Sequence, residues 1–157
     1  MARRMILLTI CLLAAGIGPA QASDPKQEPG TVCRPSALSQ ATDLVYGVSG
    51  YVERSGTSRT VYCPLLLDNP GYQGGLEDIE AWVKPPSSGT MTCTFRCSDE
   101  EGTVEDYEDQ TTSGTANQKL DWASVGWCPG NGLMWVSCPL SNGARVYGIR
   151  WVEAGST

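Results

Sequence analysis

The sequence predicts an all-β fold: a single antiparallel β-sandwich, disulfide-stapled and jelly-roll-like. Three observations predict it. Gly and Pro recur every eight to twelve residues through 31–157, between short stretches rich in Val, Ile, Thr, Tyr and Trp. That spacing is the signature of a sandwich or barrel. No long stretch has apolar residues at helical spacing. And the part of the chain expected to be exported holds six cysteines, an even number that reads as a disulfide framework.

The first segment is an address. Residues 1–22 read MARRMILLTICLLAAGIGPAQA, with Arg3 and Arg4 ahead of an apolar run from Met5 to Ala15. Gly18 and Pro19 break the run, and Ala20-Gln21-Ala22 is a cleavage site of the A-x-A type. The run is too short to cross a hydrocarbon core of roughly 30 Å comfortably. A signal peptide over 1–22, removed to leave Ser23 at the N-terminus, is therefore expected. Loss of Arg3 and Arg4 takes the formal charge of the 157-residue chain from −6 to −8. No later stretch is apolar enough to span a membrane. The product is expected to be secreted or periplasmic.

Residues 23–30, SDPKQEPG, are polar and aperiodic and read as a flexible leader. Residues 31–157 read as the β-sandwich domain, with one short helical turn near Ser36–Leu44. Arg54-Ser55-Gly56-Thr57 is turn-like and predicts a hairpin of Tyr46–Glu53 with Thr60–Leu67. In the second of these strands Val61, Cys63, Leu65 and Leu67 share a face. Pro64 lacks an N–H, so the strand should be an edge there or carry a bulge. Ile79, Ala81 and Val83 alternate with Glu80, Trp82 and Lys84 in a third strand, ended by Pro85-Pro86. Met91, Cys93, Phe95 and Cys97 alternate with Thr92, Thr94 and Arg96 in a fourth.

Asn142-Gly143 is the preferred pair for a type I′ hairpin turn. Such a hairpin sets Leu140 against Arg145, Cys138 against Tyr147, Val136 against Ile149 and Met134 against Trp151. It also sets Trp135 against Arg150 as a cation–π pair.

Cysteine geometry narrows the bridges. Cys93 and Cys97 on one extended strand lie about 13 Å apart, at ~3.3 Å per residue. A disulfide needs Cα atoms within about 7 Å, so each needs another partner. Cys138 suits Cys93, Cys128 suits Cys97, and Cys33 would then take Cys63. A metal site is disfavoured, because no second close pair and no histidine complete a ligand set.

Composition excludes much chemistry. The chain has no histidine, so Ser-His-Asp triads, Cys-His pairs and His-ligated zinc are out. Eleven basic residues against 17 acidic ones make a poor nucleic-acid binder. Gly71 to Gly75 is a turn cluster without the Lys-Ser/Thr of a phosphate loop. Neither Lys84 nor Lys119 sits in an S-x-x-K motif.

Two features invite a functional reading. Asp99, Glu100, Glu101, Glu105, Asp106, Glu108 and Asp109 place seven carboxylates in eleven residues. They read as a solvated acidic loop, with calcium binding as the alternative, although no EF-hand pattern is present. Of Trp82, Trp122, Trp127, Trp135 and Trp151, the outward phase of Trp82 and Trp135 and the turn position of Trp127 allow a carbohydrate platform; otherwise indoles pack in cores. A carboxylate-based hydrolase needs two groups about 5 to 9.5 Å apart across a cleft. Clustered in one segment these carboxylates flank nothing, and Asp121 and Glu153 have no partner in the pattern.

Val61-Tyr62-Cys63-Pro64-Leu65, Val136-Ser137-Cys138-Pro139-Leu140 and the ending from Arg145 to Glu153 carry a resemblance. Over roughly 44–153 the chain resembles a group of uncharacterised small exported bacterial proteins. These have a V-x-C-P-hydrophobic strand, a mid-chain cysteine strand and a closing I-x-G-x-x-V-x-E. Cys97, Cys128 and Trp151 depart from that pattern. The resemblance implies a β-sandwich and an exported product, and no catalytic residue.

The functional expectation is a non-enzymatic protein with a binding or structural role at the cell surface or in the medium. It needs no cofactor, and its ligand is a glycan or a protein. The alternatives are a carbohydrate-binding module using exposed Trp residues and calcium binding through 99–109.

Overall fold

Eleven strands and two short 3-10 turns, Gly30–Val32 and Leu38–Gln40, make up the elements of the computed structural model. It describes residues 24–47, 50–67, 76–99, 101–123, 125 and 132–153. In chain order the strands are β1 (Asp24–Pro29), β2 (Arg34–Pro35), β3 (Leu44–Gly47), β4 (Gly50–Glu53), β5 (Arg59–Leu65) and β6 (Leu76–Lys84). Then come β7 (Thr90–Ser98), β8 (Val104–Ser113), β9 (Gln118–Ala123), β10 (Met134–Leu140) and β11 (Arg145–Glu153).

They form two antiparallel sheets packed as a β-sandwich. One runs β3-β4-β11-β6-β9, with β1 also on β11; the other runs β2-β5-β10-β7-β8. The chain changes sheet at most connections, which is why sequence neighbours are seldom ladder partners. Alternation explains the layering, since successive side chains on a strand point to opposite faces. Val61, Cys63 and Leu65 of β5, Met91, Cys93, Phe95 and Cys97 of β7, and Met134, Val136, Cys138 and Leu140 of β10 turn inward. From the other sheet Ile79, Ala81 and Val83 of β6, Leu120 and Trp122 of β9, and Val146, Ile149 and Trp151 of β11 meet them. The Trp122 indole N–H also donates to the Glu108 carbonyl at 3.0 Å, tying β9 to β8 where the sheets close.

The two described disulfides lie within one sheet. Cys33 is bridged to Cys63, beside the β2–β5 pairing, and Cys93 to Cys138, across β7 and β10. Their Cα atoms are 3.9 and 4.4 Å apart, cross-strand neighbours on the inner face. Cys97, also on the inner face of β7, is disulfide-bonded too, while the expected partner Cys128 lies outside the described residues.

Three expectations need correction. The predicted flexible leader is strand β1, paired with β11 from Asp24↔Glu153 to Pro29↔Gly148 and anchored by the Lys26–Glu153 ion pair. Backbone pairing along an open strand edge outweighs the low apolar content of the segment.

Tyr46–Glu53 does not pair with Thr60–Leu67. It folds on itself as the β3–β4 hairpin, Tyr46 opposite Tyr51, with Gly50 at φ +101. Strand β5 pairs instead with β2 and β10. Because β2 stops opposite Val61 and Tyr62, β5 is an open edge at Pro64, which suits a residue without an N–H.

The Asn142-Gly143 turn exists: both residues have positive φ, 47 and 77, and Ala144 N–H donates to Ser141 C=O at 2.8 Å. The strands beyond it part. β10 joins β5 and β7, whereas β11 joins β6, β4 and β1. Leu140–Arg145, Cys138–Tyr147, Val136–Ile149 and Met134–Trp151 are therefore not ladder pairs. The two apolar faces look at each other across the core. A register shift between Val146 and Gly148 resets the alternation of β11, so that Arg145 pairs with Lys84, and Ile149 and Trp151 remain inward.

Candidate functional site

The outer face of the five-stranded sheet is built from the residues left over when the apolar phase turns inward. On β5 these are Tyr62 and Pro64; on β10, Trp135, Ser137 and Pro139; on β7, Thr92, Thr94 and Arg96. Register aligns them in two rows. One runs Arg34, Tyr62, Ser137, Thr94, Asp109; the next runs Pro64, Trp135, Arg96. Tyr62 and Trp135 are diagonal neighbours on adjacent strands, about 7–8 Å apart.

Between them lies a groove of about 290 Å³, lined by Tyr62, Pro64, Leu66, Leu133 and Trp135, with Arg34. Leu66 and Leu133 are 64% and 70% exposed and Tyr62 is 44% exposed, so this apolar surface faces water. Exposed apolar patches of this kind mark interaction sites. The polar groups around it are few and fixed. Arg34 donates to the carbonyls of Thr31 and Cys33 at 3.0 and 3.1 Å. Thr94 donates its hydroxyl to Asp109 at 2.6 Å, and Ser137 donates to the Thr94 carbonyl at 3.3 Å. The groove offers stacking surface and hydrogen-bond donors, and its lining contains no carboxylate.

The opposite outer face, on the six-stranded sheet, is different. Trp82 sits half-buried between Lys119 of β9 and Gly148 of β11. Beside it Asp78, Glu80 and Asp121 place carboxylate oxygens within 4.8 Å of one another. Two cations already serve them. Lys119 Nζ lies 2.6 Å from Glu80 and 2.9 Å from Asp121, and Arg150 Nη1 lies 3.0 Å from Asp78 and 3.1 Å from Glu80.

The titrations follow from these contacts. Burial raises the Asp78 carboxyl above the ordinary carboxylate range, with the Asp121 and Glu80 charges adding to it. The hydrogen bond from Lys119 holds Asp121 below that range. Hydrogen bonds to Glu80 and Asp121 keep the Lys119 ammonium protonated beyond its usual value. The set is an ion-pair network of three carboxylates and two cations.

Other expected residues lie as follows. Trp135 does not stack on Arg150: the two belong to different sheets, Trp135 opposite Arg96 and Arg150 opposite Glu80. Trp122 and Trp151 are core residues, 0% and 1% exposed. Trp127 lies outside the described residues, as do Gly71 to Gly75 and Glu100. Glu153 pairs with Lys26, far from Asp121.

The acidic run is not a loop. From Val104 onward it is strand β8, laddered to β7 from Ser98 to Thr90. Strand alternation sends the exposed Glu108 and Asp109 to opposite faces. In the turn before it, Asp99 accepts from Thr103 N–H at 2.7 Å. Charge along an exposed edge strand also discourages edge-to-edge pairing.

Motif reading passed over Tyr62 and Arg34, which line the groove, and Arg96, which lies opposite Trp135. The outward phase of Tyr62 beside Cys63 was the available signal.

No family model matches the sequence, and no curated protein does. Among solved structures the chain is similar to the enzymatically active domain of tailspike protein 4 from bacteriophage CBA120, at 15% identity and TM-score 0.48. That match covers 85% of this chain but 19% of the other. The chain is also similar to a family 11 carbohydrate-binding module from Clostridium thermocellum, solved with a β-1,3-1,4-mixed-linked tetrasaccharide. There the identity is 12% and the TM-score 0.45, over 90% of this chain and 94% of that one. A family 61 carbohydrate-binding module solved with β-1,4-galactotriose aligns at 10% identity and TM-score 0.36, covering 83% and 84%.

Proposed function

We propose that this protein is an exported glycan-binding module, without catalysis of its own, acting at the cell surface or in the medium. The observation that carries the reading is the groove of Trp135 and Tyr62 on the outer face of a disulfide-stapled sheet. Binding sites are mostly apolar surfaces with a few placed polar groups. Aromatic rings that are apolar on their faces and flanked by arginine donors suit a pyranose, which has an apolar C–H face and a hydroxylated rim. Bridges between neighbouring strands hold the rings in place before ligand arrives, which lowers the ordering cost of binding. Disulfides of this kind also belong to an oxidising compartment.

Intrinsic tryptophan fluorescence titrated with a panel of soluble oligosaccharides tests the reading. At least one glycan is expected to shift the emission saturably. Trp135→Ala should weaken that binding by tenfold or more, about 1.4 kcal/mol, and Tyr62→Ala should weaken it less. Trp82→Ala, on the opposite face, should leave it unchanged. Binding lost with Trp82 and retained without Trp135 would overturn the assignment.

A further inference from the structure

We infer that the ligand of the Trp135 groove is an acidic saccharide, one whose rings carry a carboxylate or sulfate; this rests on the glycan reading above. The argument is one of charge complementarity. The chain as a whole is acidic, at −6, yet the cations on this face are arginines placed beside the aromatic rings. Arg34 is opposite Tyr62 and Arg96 is opposite Trp135. Of the four described arginines elsewhere, two are engaged by carboxylates: Arg59 pairs with Asp43, and Arg150 with Asp78 and Glu80. Arg34 and Arg96 take part in no ion pair among the described residues. Arg34 is held by two carbonyls through one nitrogen, which leaves further N–H donors of the guanidinium for a ligand. Asp109, the carboxylate in the adjoining row, is engaged by Thr94.

A guanidinium fork matches a carboxylate or sulfate with two parallel hydrogen bonds, and such pairs are roughly twice as strong as neutral ones. The two arginine positions are three strand spacings apart across the sheet, about 14 Å. One ring does not cover that span, so the ligand is an oligomer with repeated charge.

The test uses calorimetric titration of the full mature protein with oligogalacturonate and with its methyl ester, which keeps the rings and removes the charge. A sulfated galactan serves as a third probe. The acid is expected to bind at least tenfold more tightly than the ester, with a preference that shrinks as salt rises. Arg96→Gln should reduce the preference several-fold while Trp135→Ala abolishes binding of acid and ester alike. Arg96→Lys keeps charge and packing but not the fork, and should fall between wild type and Arg96→Gln. Sulfated galactan binding that depends on Arg96 would support the same chemistry with sulfate as its source. Equal, Trp135-dependent affinity for acid and ester would overturn the inference and leave the glycan reading standing. No Trp135-dependent binding to any of the three or to the neutral panel would overturn both.

Discussion

The two outer faces of the sandwich solve the same problem in opposite ways. Each must present the polar phase of its strands to water. On the six-stranded sheet that phase is satisfied from within: Lys119 and Arg150 serve Asp78, Glu80 and Asp121, and the face needs no visitor. On the five-stranded sheet Tyr62, Leu66 and Leu133 are left exposed beside a half-buried Trp135, and Arg34 and Arg96 take part in no ion pair among the described residues. The supports differ too. The described disulfides all join strands of the five-stranded sheet, whereas the other is held by packing and ion pairs. The five-stranded face, braced and chemically unfinished, is the one proposed to bind. The other is chemically complete.

The largest test of this contrast is reduction. In the chain-entropy model bridges with separations of 30 and 45 residues each contribute about 4 kcal/mol. Breaking these two should lower the unfolding free energy by roughly 8 kcal/mol in that model, with loss of the Cys97 bridge adding to it, read by denaturant titration with thiol release confirmed. The loss should be felt first in the groove: hydrogen exchange should rise in β5 and β10 before β6 and β11. Early exchange in the six-stranded sheet would break the comparison.

Gly50→Ala is the matching test of the other sheet. Gly50 has φ +101, and a Cβ there would fall 1.8 Å from the Val146 carbonyl oxygen. Neither the backbone conformation nor the space admits a side chain. A loss of about 3 kcal/mol or more is expected, from strain and overpacking together. Glycan affinity of the folded fraction should be unchanged, because β4 and β11 do not contribute to the groove.

How much of this was legible depends on the range of the interaction concerned. Alternation is local, so the inward residues of β6, β7 and β10 could be read from the order of apolar and polar residues alone. The Asn142-Gly143 turn is local as well, and its backbone is as its residue types demand. Which sheet a strand enters afterwards is decided by distant partners. β10 matches β5 over seven residues and β11 matches β6 along most of its length, and these ladders outweigh a hairpin between sequence neighbours. The same limit hid the groove. Tyr62 and Trp135 are 73 residues apart, and only the β5–β10 register brings them together. Carboxylates along 99–109 suggested a loop because composition does not reveal that β7 offers Thr92, Thr94 and Arg96 as an outer face to pair with.

The smallest effect is the most discriminating about the finished face. Asp78 holds its proton more tightly folded than unfolded, so its ionisation opposes folding. Its effect is absent below the ordinary value of 3.8, grows as pH rises toward the raised folded value, and is constant above it. Asp121 has the opposite sign. Its contribution is present above 3.8 and lost as pH falls through the lowered folded value. At pH 7, Asp78→Asn should therefore stabilise by less than about 1 kcal/mol, and Asp121→Asn should destabilise by a few tenths at most, since solvent screens exposed pairs. Thermal midpoints at pH 7 and pH 3 measure both. The gain from Asp78→Asn should vanish at the lower pH, where the wild-type carboxyl is protonated in either state. Should Asp78→Asn destabilise at pH 7, its charge would be part of what completes the six-stranded face, and Arg150 would need it as a partner.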